Sequence, residues 1–449
     1  MTQLRSKIYW QILLVVSCVL VGSVFFYLRA SDATNLPNSP SASKSVSPRS
    51  NEDAPKSTDI LIPVAKANST RTTREQRDEK YCVDHFGALN AGVGADAFYK
   101  TFEQKTANSA QSLFEKLKAE SANGAAANLN VNQFLSGLIR QQLVGLESAE
   151  STNRCGEDEA CQQKFRSKID QMWQADFDSV AKLAIHSNDA KLYALAFHGC
   201  AIQRQNKTPA CQQITAAQWA HRDPENGAAW LQVLKEVGQE KTNAQSAVIE
   251  NALFRLSQSK QIEWGLTQFS PSFERNNFDL LEASLLSSGV MGVFAANMNG
   301  YSSILALCDP KALRDSNRFQ VCNDVAERLL SSRTNAIDGN VGLGLARKLA
   351  WPTEKIARFE EERDAMIAFM LLDSNTNLAT DVQKQETPLS ACRHMATNQG
   401  LFEDGLLVGE RQAVLNRIKN SGIDRAALVA RYRAIKEKAE KTPINAQKK

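Results

Sequence analysis

The chain has 449 residues, 43% of them hydrophobic and 23% charged, with a formal net charge of +4. That length exceeds what a single growing core serves, so two sub-domains or an elongated array are expected. Arg5 and Lys7 carry +2 of the charge, and the near-neutral remainder lacks the basic footprint of a nucleic-acid binder.

Residues 8–28, IYWQILLVVSCVLVGSVFFYL, hold no charge. As a helix they span about 30 Å, the thickness of a bilayer core. Residues 1–7 then form a cytoplasmic tail. With Arg5 and Lys7 ahead of the run, the positive-inside rule sends everything after it across the membrane. Three readings compete: an uncleaved signal-anchor, a lipoprotein signal around Val15-Val16-Ser17-Cys18, and a signal cleaved near Ser31-Asp32-Ala33. Length favours the anchor, because a cleavable apolar region is roughly 7–15 residues. The expected setting is a bacterial inner membrane, with the body in the periplasm and the membrane as a partner.

Residues 29–78 read as a disordered tether. The stretch 31–50 alone holds seven serines and three prolines, too little apolar surface to offset its ordering entropy. Its reach as a random coil is roughly 40 Å.

From residue 79 the apolar spacing follows a period of 3.6. Phe98, Phe102, Leu113, Phe114 and Leu117 share a face, as do Val131, Phe134, Leu135, Leu138 and Leu146. Ile356, Phe359, Met366, Ile367 and Met370 line a helix starting at Pro352. No alternating β-branched runs occur, so the body is expected to be all-α. It divides into helical sub-domains at 79–275 and 276–441, with a frayed tail at 442–449. Residues 280–307, rich in small and apolar side chains, read as a buried core helix rather than a second membrane element.

The segment DPENGAAWLQVLKEVG, 223–238, starts a helix, with Asp223 as cap, Pro224 at the first position and Gly238 to end it. Trp230, Val233, Leu234 and Val237 are expected to form its buried stripe. This segment resembles the junction between tetratricopeptide repeats. The likeness covers these sixteen residues and implies an α-helical, solenoid-like array. It assigns no ligand residues.

Of nine cysteines, Cys18 lies in the membrane run. The other eight, Cys82, Cys155, Cys161, Cys200, Cys211, Cys308, Cys322 and Cys392, fall on the exported side, where an even count signals a disulfide framework. Cys155 and Cys161 flank GEDEA, Cys200 and Cys211 flank Asn206 and Pro209, and Cys308 and Cys322 flank Asp309-Pro310. Each interval holds a helix break, so local pairs 155–161, 200–211 and 308–322 are expected, leaving 82–392 by elimination. The alternative is a continuous helix presenting both cysteines of a pair to another helix, which Pro209 and Pro310 oppose. An echo supports a duplicated device: Cys211 and Cys322 are each followed by an apolar residue at +3 and +8 and an arginine at +11.

Catalytic chemistry is hard to place. HExxH, the phosphate loop and the nucleophile elbow are absent. Gly342-Leu-Gly344 reads as a helix start and Gly92-Val-Gly94 as a turn. Glu360, Glu361, Glu362 and Asp364 read as a solvated face. His85, His198 and His394 lie near cysteines without the paired spacing of a zinc site. His221 reads as a partly buried or capping residue at a helix junction. No catalytic, cofactor or metal residue is assigned. The leading expectation is a non-enzymatic envelope scaffold that binds a protein or polymer partner. The alternative is an all-α envelope hydrolase or lyase.

Overall fold

A computed structural model describes residues 64–88, 105–106, 108–119, 126–155, 158–203, 207–237, 243–275, 278–297, 300–374 and 387–441. The sequence expectations for the tail, the 8–28 run, most of the tether, Gly92-Val-Gly94, Asn206, Gly238 and the 442–449 tail lie outside them. Among the described residues there is no strand, only an isolated bridge between Asn226 and Gln261.

The helices are α1 (Val64–Phe86), α2 (108–119), α3 (Ala126–Cys155), α4 (Glu159–Ile185), α5 (Ala190–Ile202), α6 (Pro209–Gln213), α7 (Ala216–Arg222), α8 (Gly227–Val237) and α9 (Asn243–Gln258). After them come α10 (Ser270–Arg275), α11 (Leu280–Asn297), α12 (Gly300–Leu307), α13 (Ser316–Ser331) and α14 (Ala336–Lys348). The last four are α15 (Thr353–Ser374), α16 (Pro388–Val408), α17 (Glu410–Ser421) and α18 (Arg425–Lys441). Their starts are chemically marked. Asp158, Asp189, Thr208, Thr215, Asp315, Asn335 and Thr387 each accept a hydrogen bond from a first-turn amide. Pro209 and Pro388 occupy first positions, where the missing N–H does no harm.

The tether expectation is corrected at its C-terminal end, because α1 already runs from Val64. Its charge-rich sequence hides a spacing of four: Asp78, Cys82 and Phe86 are all buried on one face. Residues 75–449 form one compact unit. One continuous core runs from Ala110 to Leu406.

Consecutive helices pack as pairs: α3 on α4, α4 on α5, α8 on α9, α13 on α14 and α16 on α17. Contacts between distant elements are equally clear. Helix α11 packs on α3, α5 and α16, α9 packs on α13, and α18 on α15. Such contacts depart from the nearest-neighbour rule of a solenoid. The stretch Leu280–Leu307, which holds α11 and α12, satisfies the length and composition of a membrane span, yet Leu281, Leu286, Val290, Val293 and Phe294 are buried in this core.

Two sequence expectations change at α8. The helix opens on Gly227, Asn226 rather than Asp223 accepts from the Ala228 amide at 3.0 Å, and Pro224 lies in the turn. Trp230 is only half-buried, and its indole folds back to donate to the Pro224 carbonyl at 2.9 Å. Likewise Gly342 and Gly344 lie inside α14, not at its start, which Asn335 sets. A Cβ at Gly342 would come within 2.9 Å of Leu330, so that glycine lets α14 approach α13.

Two helices approach closely at Gly300, where a Cβ would meet the Leu231 carbonyl oxygen at 2.5 Å. That atom is backbone and cannot swing aside. Gly300→Ala is therefore expected to destabilise the body by about 1–3 kcal/mol, as overpacking does. Urea unfolding of the variant checks this, and an unchanged midpoint would show that α8 and α12 separate freely.

Candidate functional site

The eight body cysteines lie in four pairs: 82–392, 155–161, 200–211 and 308–322, with Cα separations of 5.6, 5.7, 5.1 and 5.9 Å. Cys200 ends α5, and Cys211 sits in the next helix behind Pro209. Cys308 follows α12, and Cys322 sits in α13 beyond the turn at Asp309-Pro310. In both, the chain breaks between the cysteines. The echo is one of position rather than structure. A break at Ile214-Thr215 puts Trp219 on a new helix, while Leu330 stays on the same helix as Cys322. The long-range pair ties α1 to α16 within a small satellite cluster of Cys82, Phe86, Leu280, Ala391 and Cys392. Arg393 and Glu79 pair beside it, with Arg393 Nε donating at 2.9 Å.

The densest polar site lies around the segment joining α13 to α14. Asn335 caps α14, its side-chain oxygen accepting from the Asp338 amide at 2.8 Å. The Asp338 carboxylate, three residues into the helix, is fully buried. Tyr301 of α12 donates to Oδ1 through a short hydrogen bond. Ser332 donates to Oδ2 at 2.6 Å, and Thr334 Oγ1 lies 3.2 Å from the same oxygen. Thr334 also donates to the Ile262 carbonyl at 2.7 Å.

From the other side comes α17. The Glu410 amide donates to the Thr334 carbonyl at 2.8 Å, and its carboxylate accepts from the Ala336 amide at 3.2 Å. Arg411 donates to the carbonyls of Leu330 and Ser332 at 2.7 and 2.8 Å and pairs with Glu362 of α15 at 2.9 Å. Of the four acids Glu360, Glu361, Glu362 and Asp364 of α15, Glu361 is exposed, as the solvated face expected from the sequence, whereas Glu360 and Glu362 are half-buried and Asp364 is buried. Glu360 pairs with Arg347, Glu361 with Arg425, Glu362 with Arg411 and Asp364 with Arg433. Consecutive acids point different ways around a helix, and here each direction meets an arginine of a neighbouring element.

Residues 259–265 form a strap on the same site. The Lys260 amide donates to the Glu225 carbonyl at 2.9 Å, and the Gly227 amide to the Gln261 carbonyl at 2.7 Å. The Asn226 side chain brackets Glu263, accepting from its amide at 2.9 Å and donating to its carbonyl at 2.8 Å. The Glu263 carboxylate accepts from Gly265, whose φ of 85° suits glycine. Beyond it, the His198 Nε2 donates to the Trp264 carbonyl at 3.0 Å and Nδ1 accepts from Asn297 at 3.2 Å.

Burial sets the electrostatics. It raises the pKa values of Asp338, Glu263 and Glu410, and the Asp338 charge adds to the effect on both glutamates. Burial also pushes His198 down to about 3. His198 is therefore neutral with its proton on Nε2. A histidine held below its unfolded value of about 6.5 binds fewer protons folded than unfolded. Its contribution is complete above that value and is lost as pH falls toward 3, at about 1.4 kcal/mol per pH unit. His198→Gln is expected to flatten this acid-side loss in urea titrations. An unchanged slope would show that His198 is charged in the fold.

Every nucleophilic or basic group at the site is engaged. The three carboxylates hold helix amides or hydroxyls, and His198 spends both nitrogens on its neighbours. Among the described residues no His/Cys/Asp/Glu group is arranged to hold a metal. His85 instead contacts Lys105, His394 contacts Asn398, and His221 is exposed at the end of α7 rather than buried or capping. Sequence reasoning missed the Tyr301–Asp338 contact. The available signal was the spacing of Asn335 and Asp338, that of a helix cap and its third residue.

No protein-family model, no curated protein and no solved structure matches this chain.

Proposed function

We propose that the protein is an exported, membrane-anchored helical scaffold of the bacterial envelope that binds a macromolecular partner without performing catalysis. The observation that carries this reading is the disulfide frame, in which all eight body cysteines are paired. Paired cysteines are a device of oxidising compartments, which fits transfer of the body across the membrane by residues 8–28. The polar interior supports the non-enzymatic half. Its carboxylates, histidine and hydroxyls fix helix ends to one another, and none is left free to accept a substrate proton. The body is built for rigidity, which lowers the ordering cost of binding a partner.

The test is cross-linking mass spectrometry on intact cells expressing the full chain. Recurrent cross-links from body lysines to another exported protein or to wall polymer are the expected result. Cross-links to cytoplasmic proteins would overturn the placement, and a body cross-linked only to itself would overturn the scaffold reading.

A further inference from the structure

Five oxygen–oxygen contacts connect Asp338 and its neighbours, and three of them end on its carboxyl group. They are Tyr301 with Oδ1, Ser332 with Oδ2, Thr334 with Oδ2, Ser332 with Thr334, and Thr334 with the Ile262 carbonyl. The three hydroxyls bring three protons. Tyr301 and Ser332 direct theirs at the carboxyl group, and Thr334 at 2.7 Å directs its own at Ile262. The Thr334 oxygen then presents a lone pair to Oδ2 at 3.2 Å, which attracts a carboxylic acid and repels a carboxylate. A fourth proton, on Oδ2, fills that contact and leaves only the Ser332–Thr334 approach at 3.0 Å without one.

We propose that Asp338 is a proton-binding site at which a bound proton locks α12, α14 and the 259–265 strap together, and that its ionisation slackens this joint. The charged and titratable groups around it all bear on that proton. Tyr301 faces it from α12, Glu263 from the strap and Glu410 from α17. Arg411 reaches the carbonyls of the same segment but is neutralised by Glu362, and Arg333 turns outward to Gln412. Lys191 of α5 lies on the far side of Glu263, which it influences directly. Glu263 and Glu410 are acids that feel the Asp338 charge, so proton binding at Asp338 relieves repulsion at both.

The sign is definite. A carboxyl group held above its unfolded pKa stabilises the fold fully below the unfolded value, and that gain is lost as pH rises through the folded value. Urea unfolding of the wild-type chain and of Asp338→Asn across the acidic to neutral range reads it. The wild type is expected to lose stability relative to the variant as pH rises, by up to tenfold in the unfolding constant per pH unit. A flat or opposite difference overturns the proposal. The second readout needs no destabilising variant. With the aspartate carboxyl carbons isotopically labelled, the infrared spectrum of folded protein at about pH 6, above the ordinary aspartate value, should show a shifted protonated-carboxyl band. Asp176, also raised by burial, is separated by Asp176→Asn, which leaves the band in place if it belongs to Asp338. Absence of the band, or its loss in Asp176→Asn, overturns the assignment.

Discussion

Replacing both Cys82 and Cys392 by serine is expected to lower the stability of the body by about 4–5 kcal/mol. The pair closes a separation of 310 residues, whereas the other three close 6, 11 and 14. In the chain-entropy picture a longer loop gives a larger reduction in unfolded-state freedom, and a loop of ten to fifteen residues is worth about 3 kcal/mol. Local structure sharpens the contrast. The bond holds α1 to α16 through a satellite cluster apart from the main core, with the Glu79–Arg393 pair on the exposed rim. An exposed ion pair contributes about 0–1 kcal/mol and cannot replace the bond. Serine at both positions also avoids a lone thiol and its mispairing. Reversible urea unfolding of the oxidised variant checks the figure. A loss below about 1 kcal/mol would mean that α1 is held by its side-chain packing alone.

Trp219→Ala is expected to cost about 3–5 kcal/mol, the range for a large aromatic emptied from a core. Trp219 is fully buried on α7, a helix of seven residues that cannot persist on its own propensity. Its ring lies 5.3 Å from Phe197 and 5.4 Å from His198, so it joins α7 to α5 at the point where Cys200 is stapled to Cys211. Those neighbours are held by the staple and by the Trp264 carbonyl, and cannot collapse into the space. Trp219→Phe keeps ring contact and should cost less. Equal losses in the two variants would show that the indole nitrogen, not the ring area, is what the site requires.

Helical periodicity made the class of fold legible, because Val131, Phe134, Leu135 and Leu138 fall on one face by spacing and are all buried. What spacing could not reveal was pairing between distant elements. Nothing in the sequence of α11 says that it meets α3, α5 and α16, and a nearest-neighbour array was the natural default. Residues 64–78 of α1 read as tether because they are rich in charge, although Arg74 and Asp78 already share the buried face that continues to Cys82 and Phe86. At the candidate site, Asp338 looked like one more acid in a helix. Its partner Tyr301 lies 37 positions away on another helix, and only the fold brings the two together. Glu360, Glu362 and Asp364 of α15 are partnered inside the fold for the same reason, since Arg347, Arg411 and Arg433 come from three other helices.

The central claim is an exported body held in an oxidised frame. Cells making the full chain are quenched in acid, free thiols are alkylated, and the protein is digested without reduction and mapped by mass. The account predicts linked peptides 82–392, 155–161, 200–211 and 308–322, with no alkylated cysteine in the body. Alkylated Cys200, Cys211, Cys308 or Cys322 in the freshly quenched protein would contradict it, because such thiols belong to a reducing compartment.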